Sequence, residues 1–214
     1  MEEKVIIIID YGMGNLGSIR NMLKKIEVES EITSDINKIK LATKLILPGV
    51  GAFDNGMENI KKMGLLPVLN DLVLVKKIPV LGICLGMQLM TRRSEEGVLP
   101  GLGWIDADTK RFVFPAEVNL KIPHMGWNNI KVLKKEPIAG NLDNSSRFYF
   151  VHSYHAVCDS EKDILFQTNY GYDFTSAFSK DNIIGVQFHP EKSHKFGMQL
   201  LRNFSEIPEG KVKC

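Results

Sequence analysis

The chain opens with short, unbroken apolar runs, set between segments whose apolar residues recur every three or four positions. Val5-Ile-Ile-Ile-Ile9 is β-branched throughout. A strand with one wet face would alternate, so this run marks a central strand covered on both faces, as in a parallel sheet. Further strands are predicted at residues 29–33, 44–48 and 78–84. Helical periodicity lies between them: to about Ile26 with Ile19, Met22, Leu23 and Ile26 on one face, then briefly before Lys44, at 54–62, at 65–75 and at 85–92. Strand–helix alternation predicts right-handed crossovers and an α/β fold with an open, largely parallel central sheet and flanking helices. In such sheets ligands bind outside the carboxyl ends of the strands.

Beyond Glu95-Glu-Gly97 the rhythm changes. Short strands are predicted at 104–113, 130–133, 148–157, 164–167, 175–178 and 183–188, so extra antiparallel strands fill the C-terminal half before a last helix at 195–205. No Pro-, Gly- or Ser-rich linker and no repeat interrupts the chain, and a single domain over residues 1–214 is expected.

Composition narrows the partners. Formal charge is +2, with 27 basic and 25 acidic residues interspersed, so nucleic acid and anionic membrane surfaces are not expected partners. The start, Met1-Glu-Glu-Lys, is charged, and the run after it is too short for a signal or a membrane span. The three cysteines, Cys84, Cys158 and Cys214, match no disulfide or metal spacing, which fits a reducing cytoplasm and predicts no metal site. Cys158 reads as packing and Cys214 as an exposed tail.

Cys84 stands apart from the other two. It ends the apolar run Ile78-Pro-Val-Leu-Gly-Ile-Cys84 and begins Leu-Gly-Met-Gln88, so a strand turns sharply into a helix at a residue framed by Gly82 and Gly86. A helix start beside a sulfur favours the thiolate. A buried thiol that only packs is the competing reading, but packing asks for neither glycine. A nucleophile would need a base. Ile183-Ile-Gly-Val-Gln-Phe-His189-Pro190-Glu191 offers one at the end of a late strand, with a carboxylate two residues on to orient the ring; a surface turn is the alternative there. Pro48-Gly-Val-Gly51 is either an ordinary loop or a turn whose N–H groups converge on developing negative charge. Gly12 to Gly17 matches G-x-G-x-x-G after a strand, with Asp35 at the distance of a ribose-binding acid, so a dinucleotide-binding module is a rival reading. Against it, Thr33-Ser-Asp35-Ile-Asn37 looks like a helix cap.

Taken together, Gly82-Ile-Cys84-Leu-Gly86-Met-Gln88, Pro48-Gly-Val-Gly51 and Gln187-Phe-His189-Pro-Glu191 resemble a class-I glutamine amidotransferase domain. Asp10-Tyr-Gly-Met-Gly-Asn15, Pro123-His-Met-Gly-Trp-Asn128, Phe150-Val-His-Ser-Tyr154 and His189-Pro-Glu-Lys-Ser193 are similar to the glutaminase subunit of imidazole glycerol phosphate synthase. The resemblance implies hydrolysis of glutamine through a Cys84–His189–Glu191 triad, with an oxyanion held by the backbone of Leu85 and of Val50 or Gly51. It implies substrate contacts from Gln88, His152, Ser153 and Tyr154, and no cofactor. It also implies a (β/α)8-barrel cyclase partner, faced or anchored by His124, Met125, Trp127, Asn128 and Lys192. The segments Tyr170-Gly-Tyr-Asp-Phe174 and Lys192-Ser-His-Lys-Phe-Gly-Met198 are similar instead to a sister group, whose ammonia goes to a synthetase-like sugar amidotransferase for surface polysaccharide. A cysteine peptidase would leave Gln88 and the Pro48–Gly51 turn without a task.

Overall fold

A computed structural model describes residues 5–208; Cys214 and the charged start, residues 1–4, lie outside them. The first half alternates as the periodicity predicts: β1 (Ile6–Ile9), α1 (Leu16–Lys25), β2 (Ser30–Thr33), α2 (Ile36–Ile39), β3 (Lys44–Gly49), α3 (Phe53–Lys62), α4 (Leu65–Asn70), β4 (Val80–Cys84) and α5 (Leu85–Leu89). The helix at 65–75 continues past α4 as a wider π turn, Asp71–Val75. The second half holds β5 (Ala107–Arg111), β6 (His124–Asn129), β7 (Lys131–Val132), β8 (Arg147–His152), β9 (Tyr154–Cys158), β10 (Ile164–Tyr170), β11 (Tyr172–Lys180), β12 (Ile183–Val186) and α6 (His194–Glu206).

Among the described residues ten strands form one sheet, in the order β2-β1-β3-β4-β12-β11-β10-β7, with β9 on β11 and β5 on β9. The pairs β2–β1, β1–β3, β3–β4 and β4–β12 are parallel, and from β11 outward the pairing is antiparallel. Strand β1 is buried on both faces. Ile6 and Ile8 pack with Ile19 and Leu23 of α1 and Leu200 and Phe204 of α6, whereas Ile7 and Ile9 pack with Met57 and Ile60 of α3 and Leu65 and Leu69 of α4. Two covered faces are why the run never alternates.

Three local expectations are corrected. The helix after Cys84 stops at Leu89 instead of running to Arg92. Thr91 Oγ1 donates back to the Gln88 carbonyl, and the N–H groups of Arg92 and Glu95 turn to the carbonyls of Ala107 and Thr109. The run at 148–157 is broken at Ser153 into β8 and β9, because β8 leaves the main sheet to pair with β6. That two-stranded sheet carries the Pro123–Asn128 motif. The region 104–113 contributes only Ala107–Arg111 as strand.

The order of the central strands decides where chemistry can sit. Strand β4 lies between β3 and β12, with Gly49 level with Cys84 and Val186 level with Ile83. The carboxyl ends of three neighbours therefore deliver the Gly49–Gly51 turn, Cys84 and His189 to one place. Close packing of α5 onto these strands depends on the two glycines. A Cβ on Gly82 would lie 2.8 Å from the Met87 nitrogen and from the Met90 sulfur, and one on Gly86 would overlap the Leu47 carbonyl. Gly86→Ala should therefore cost about 1–3 kcal/mol or more, because backbone rather than a movable side chain blocks the methyl. Urea unfolding at unchanged m is the measurement, and a midpoint equal to wild type would refute the packing argument.

Candidate active site

Cys84 has φ 54° and ψ −109°, a conformation that side chains other than glycine seldom adopt. Such a position costs about 1–3 kcal/mol and persists only where its surroundings impose it. Here β4 fixes the residue from one side and α5 from the other. The residue is 8% exposed. It lines a cavity of about 280 Å³ together with Val50, Gly51, Leu85, Gln88, Glu96, Pro123, Val151, His152, Ser153, Tyr154 and His189. Of the sequence-predicted residues the structure thus gathers the cysteine, the histidine, the turn and all four substrate contacts around one space.

His189 follows β12 and is held by its backbone, its N–H donating to the Tyr149 carbonyl at 2.9 Å and its own carbonyl accepting from Ser193 Oγ at 2.6 Å. Its Nδ1 lies 2.8 Å from Glu191 Oε1, and both side chains are only 2% exposed. A carboxylate only accepts, so Nδ1 carries the hydrogen and Nε2 is the atom left for chemistry. That Nε2 is buried without a hydrogen-bond partner in the protein. Burial opposes a charged ring, but the neighbouring Cys84 sulfur and the Glu191 carboxylate outweigh it and push the imidazole up to about 10. The ring is therefore positioned as an imidazolium beside the sulfur at neutral pH.

The other buried histidines behave oppositely. His152 Nδ1 lies 2.7 Å from the Tyr154 carbonyl, which only accepts, so Nδ1 holds the hydrogen and Nε2 accepts from His124 Nδ1 at 3.0 Å. His124 Nε2 in turn accepts from Asn128 Nδ2 at 3.3 Å. Burial pushes His124 down to about 4 and His152 well below its ordinary range. Both are neutral spacers. Gln88 Nε2 donates to the Tyr154 carbonyl at 3.1 Å and to Gln187 Oε1 at 3.0 Å.

The turn after β3 is braced from β1. The Tyr11 hydroxyl, fully buried, donates to the Pro48 carbonyl at 2.6 Å, and its oxygen lies where a Cβ of Gly49 would go. A Cβ on Gly14 would come within 3.2 Å of Pro48 Cβ and 3.3 Å of the Gly49 nitrogen, and Met13 covers Gly51, which has φ 125°. Gly14, the middle glycine of the motif, is therefore spent on close approach to the Pro48–Gly49 backbone, where a dinucleotide site would keep that approach for a phosphate. Asp35 is spent as the cap of α2, accepting from the Asn37 N–H at 2.8 Å. The dinucleotide reading is overturned on both counts.

Five residues were expected to face or anchor a partner. Met125 and Trp127 are 62% and 43% exposed, and Lys192 is exposed with Nζ 5.6 Å above the Tyr149 ring. Trp127 stacks on His194 at 5.5 Å under the Arg147 guanidinium. His124 is corrected: side chains alternate along β6, so it points inward at 3% exposure, whereas Asn128 is half-buried, its amide donating to His124 and the Asn169 carbonyl. One cavity residue and one buried neighbour of the Cys84 sulfur escaped the sequence reading. Glu96 bonds the Phe53 N–H at 2.9 Å, and burial pushes its carboxyl upward; its only signal was a Glu-Glu-Gly end to the first half. Gln187 was visible only as a letter of the His189 motif. Among the described residues no cluster is placed to hold a metal ion, and no helix is long and apolar enough to cross a membrane.

Residues 7–207 match the family described as glutamine amidotransferase class-I. The chain is 58% identical over 200 residues to imidazole glycerol phosphate synthase subunit HisH 2 of Methanococcus maripaludis, spanning 94% of this chain and 98% of that protein. It is 51% identical over 203 residues to the protein of the same name from Pseudomonas aeruginosa, spanning 95% and 100%. A solved glutamine amidotransferase from Thermotoga maritima shares the fold, with TM-score 0.65 at 18% identity over 96% of this chain and 84% of that one.

The His189 charge has a pH signature. Because its folded value lies near 10 against an ordinary 6.5, the stability it contributes is complete below pH 6.5 and is lost as pH rises through about 10. Glu191→Gln removes one of the two groups that raise the imidazole, so the ring should titrate at lower pH and the alkaline loss of stability should begin earlier. Imidazole NMR and thermal melts across this range measure both; a titration still near 10 would assign the whole effect to Cys84.

Proposed function

The chain belongs to the glutamine amidotransferase class-I family, and on that premise we propose that Cys84, His189 and Glu191 hydrolyse glutamine to glutamate and ammonia. The function is that of the glutaminase subunit of an imidazole glycerol phosphate synthase, serving histidine biosynthesis. The observation that carries the catalytic reading is the strained Cys84 opposite a buried, unpartnered His189 Nε2.

The Cys84 sulfur attacks the side-chain amide carbon, and the tetrahedral oxyanion is received by the backbone N–H of Leu85 and of Val50 or Gly51. Collapse breaks the C–N bond, with the His189 Nε2 proton going to the leaving nitrogen, which departs as ammonia. Nε2, now a base, takes a proton from water; the hydroxide so formed adds to the thioester, and glutamate leaves with the sulfur restored. Gln88, His152, Ser153 and Tyr154 shape the substrate end of the cavity, and the Glu96 carboxylate suits the α-ammonium group of glutamine.

The partner is a second subunit, which we read as a (β/α)8-barrel cyclase docking on the Met125–Trp127 patch with Lys192 at its edge. An exposed Trp–Met cluster with an arginine beside it has the composition of an interface core. Ammonia released in water is protonated and lost, so delivery inside a complex suits the chemistry. We place the assembly in the cytoplasm, where the cysteines stay reduced.

In the complex, Cys84→Ala should abolish glutamine-dependent synthesis and leave ammonium-dependent synthesis intact; loss of both in a folded complex would refute this division of labour. Glycine on both sides of Val50 lets that peptide reorient at low cost. Glutamate release by the isolated chain should therefore be weak and rise at least about tenfold with partner and acceptor. Full activity of the chain alone would contradict a turn that waits for its partner.

A further inference from the structure

Gln187 lies between β12 and His189, is wholly buried, and has no part in the chemistry described so far. Its side chain bridges Gln88 and Cys84: Oε1 is 3.0 Å from Gln88 Nε2, and Nε2 is 3.7 Å from Cys84 Sγ. An outside group fixes the direction of both contacts. The Tyr154 carbonyl can only accept, and it lies 3.1 Å from Gln88 Nε2. With the Gln88 amino group so placed, the facing atom of Gln187 has to be oxygen, which leaves its N–H groups toward the sulfur. The reverse amide would set donor against donor at Gln88 and oxygen against the sulfur.

We propose that Gln187 is a catalytic donor to the nucleophile: its side-chain N–H bonds the Cys84 sulfur, steadies it for attack, and receives it again when the thioester breaks. A buried amide is costly unless its donor and acceptor ends are engaged, and here both ends are. Hydrogen bonding to the charged form of a group favours that form. The His189 ring supplies positive charge from one side of the sulfur. Gln187 supplies the directed contact from another. The same amide also ties the nucleophile to Gln88, so filling the substrate end of the cavity and aiming the sulfur share one rigid link.

The inference rests on Cys84 being the nucleophile, and the test separates the two. The full chain is alkylated with iodoacetamide across a pH series, and Cys84 and Cys158 are quantified by mass spectrometry. Cys158, whose thiol burial pushes up to about 12, is the internal reference. Wild-type Cys84 should react far faster than Cys158 at neutral pH; if it does not, the nucleophile reading fails and this inference with it. Gln187→Met keeps volume and removes the donor. It should lower Cys84 alkylation at pH 7 about tenfold, move the profile to higher pH, and lower glutaminase kcat in the complex with KM within about twofold. Unchanged alkylation with a raised KM would overturn the proposal, because Gln187 would then merely seat Gln88. Should the methionine variant fail to fold by circular dichroism, Gln187→Asn, which draws the amide back by one methylene, carries the same comparison.

Discussion

Parallel pairing of β4 between β3 and β12 is the constraint on which the rest of this molecule depends. Hydrogen bonds along those two edges set Gly49, Cys84 and the approach to His189 at one level, although the residues are far apart in the chain. A slip of one residue would exchange the side chains packed in the two covered layers, so two differently shaped hydrophobic layers also enforce the alignment of the chemistry. Stability and site geometry are thus one specification. The strain at Cys84 is tolerable for the same reason, since neither β4 nor α5 has freedom to relax it.

Environment, rather than residue type, assigns the histidines their states. His124 and His152 are desolvated with only neutral partners and stay uncharged, whereas His189 is similarly enclosed but lies between a sulfur and a carboxylate and holds its charge. Carbonyl acceptors set the direction of the remaining bonds. Tyr154 alone orients both His152 and Gln88, and through Gln88 it orients Gln187.

Much of the first half was legible because its strands are buried on both faces and its helices carry one apolar stripe, patterns written in a few consecutive residues. The cap at Asp35 was legible for the same reason, its partner Asn37 lying two positions on, and the glycine frame around Cys84 was legible as a pattern although Gly86 is required by the Leu47 carbonyl on another strand. The C-terminal half was read with less accuracy where partners are distant. The break at Ser153 exists because β8 and β9 join different sheets, and the short α5 ends because Ala107 and Thr109 compete for its following N–H groups. His124 was placed on the wrong face because its motif gives residue types but not strand parity. Glu96 and Gln187 gained meaning only when folding set them against the cavity and the sulfur. The glycine-rich segment misled as a nucleotide motif because close backbone approach looks alike in sequence whether the approaching group is a phosphate or another loop.

Tyr149 belongs both to the exposed patch and to the support of His189. Its carbonyl receives the His189 N–H, while its ring stands beside Trp127 and beneath Lys192 on the outer face of β8. A substitution that moves the Tyr149 backbone would therefore be felt at both places, whereas one confined to the ring would be felt at the outer patch alone.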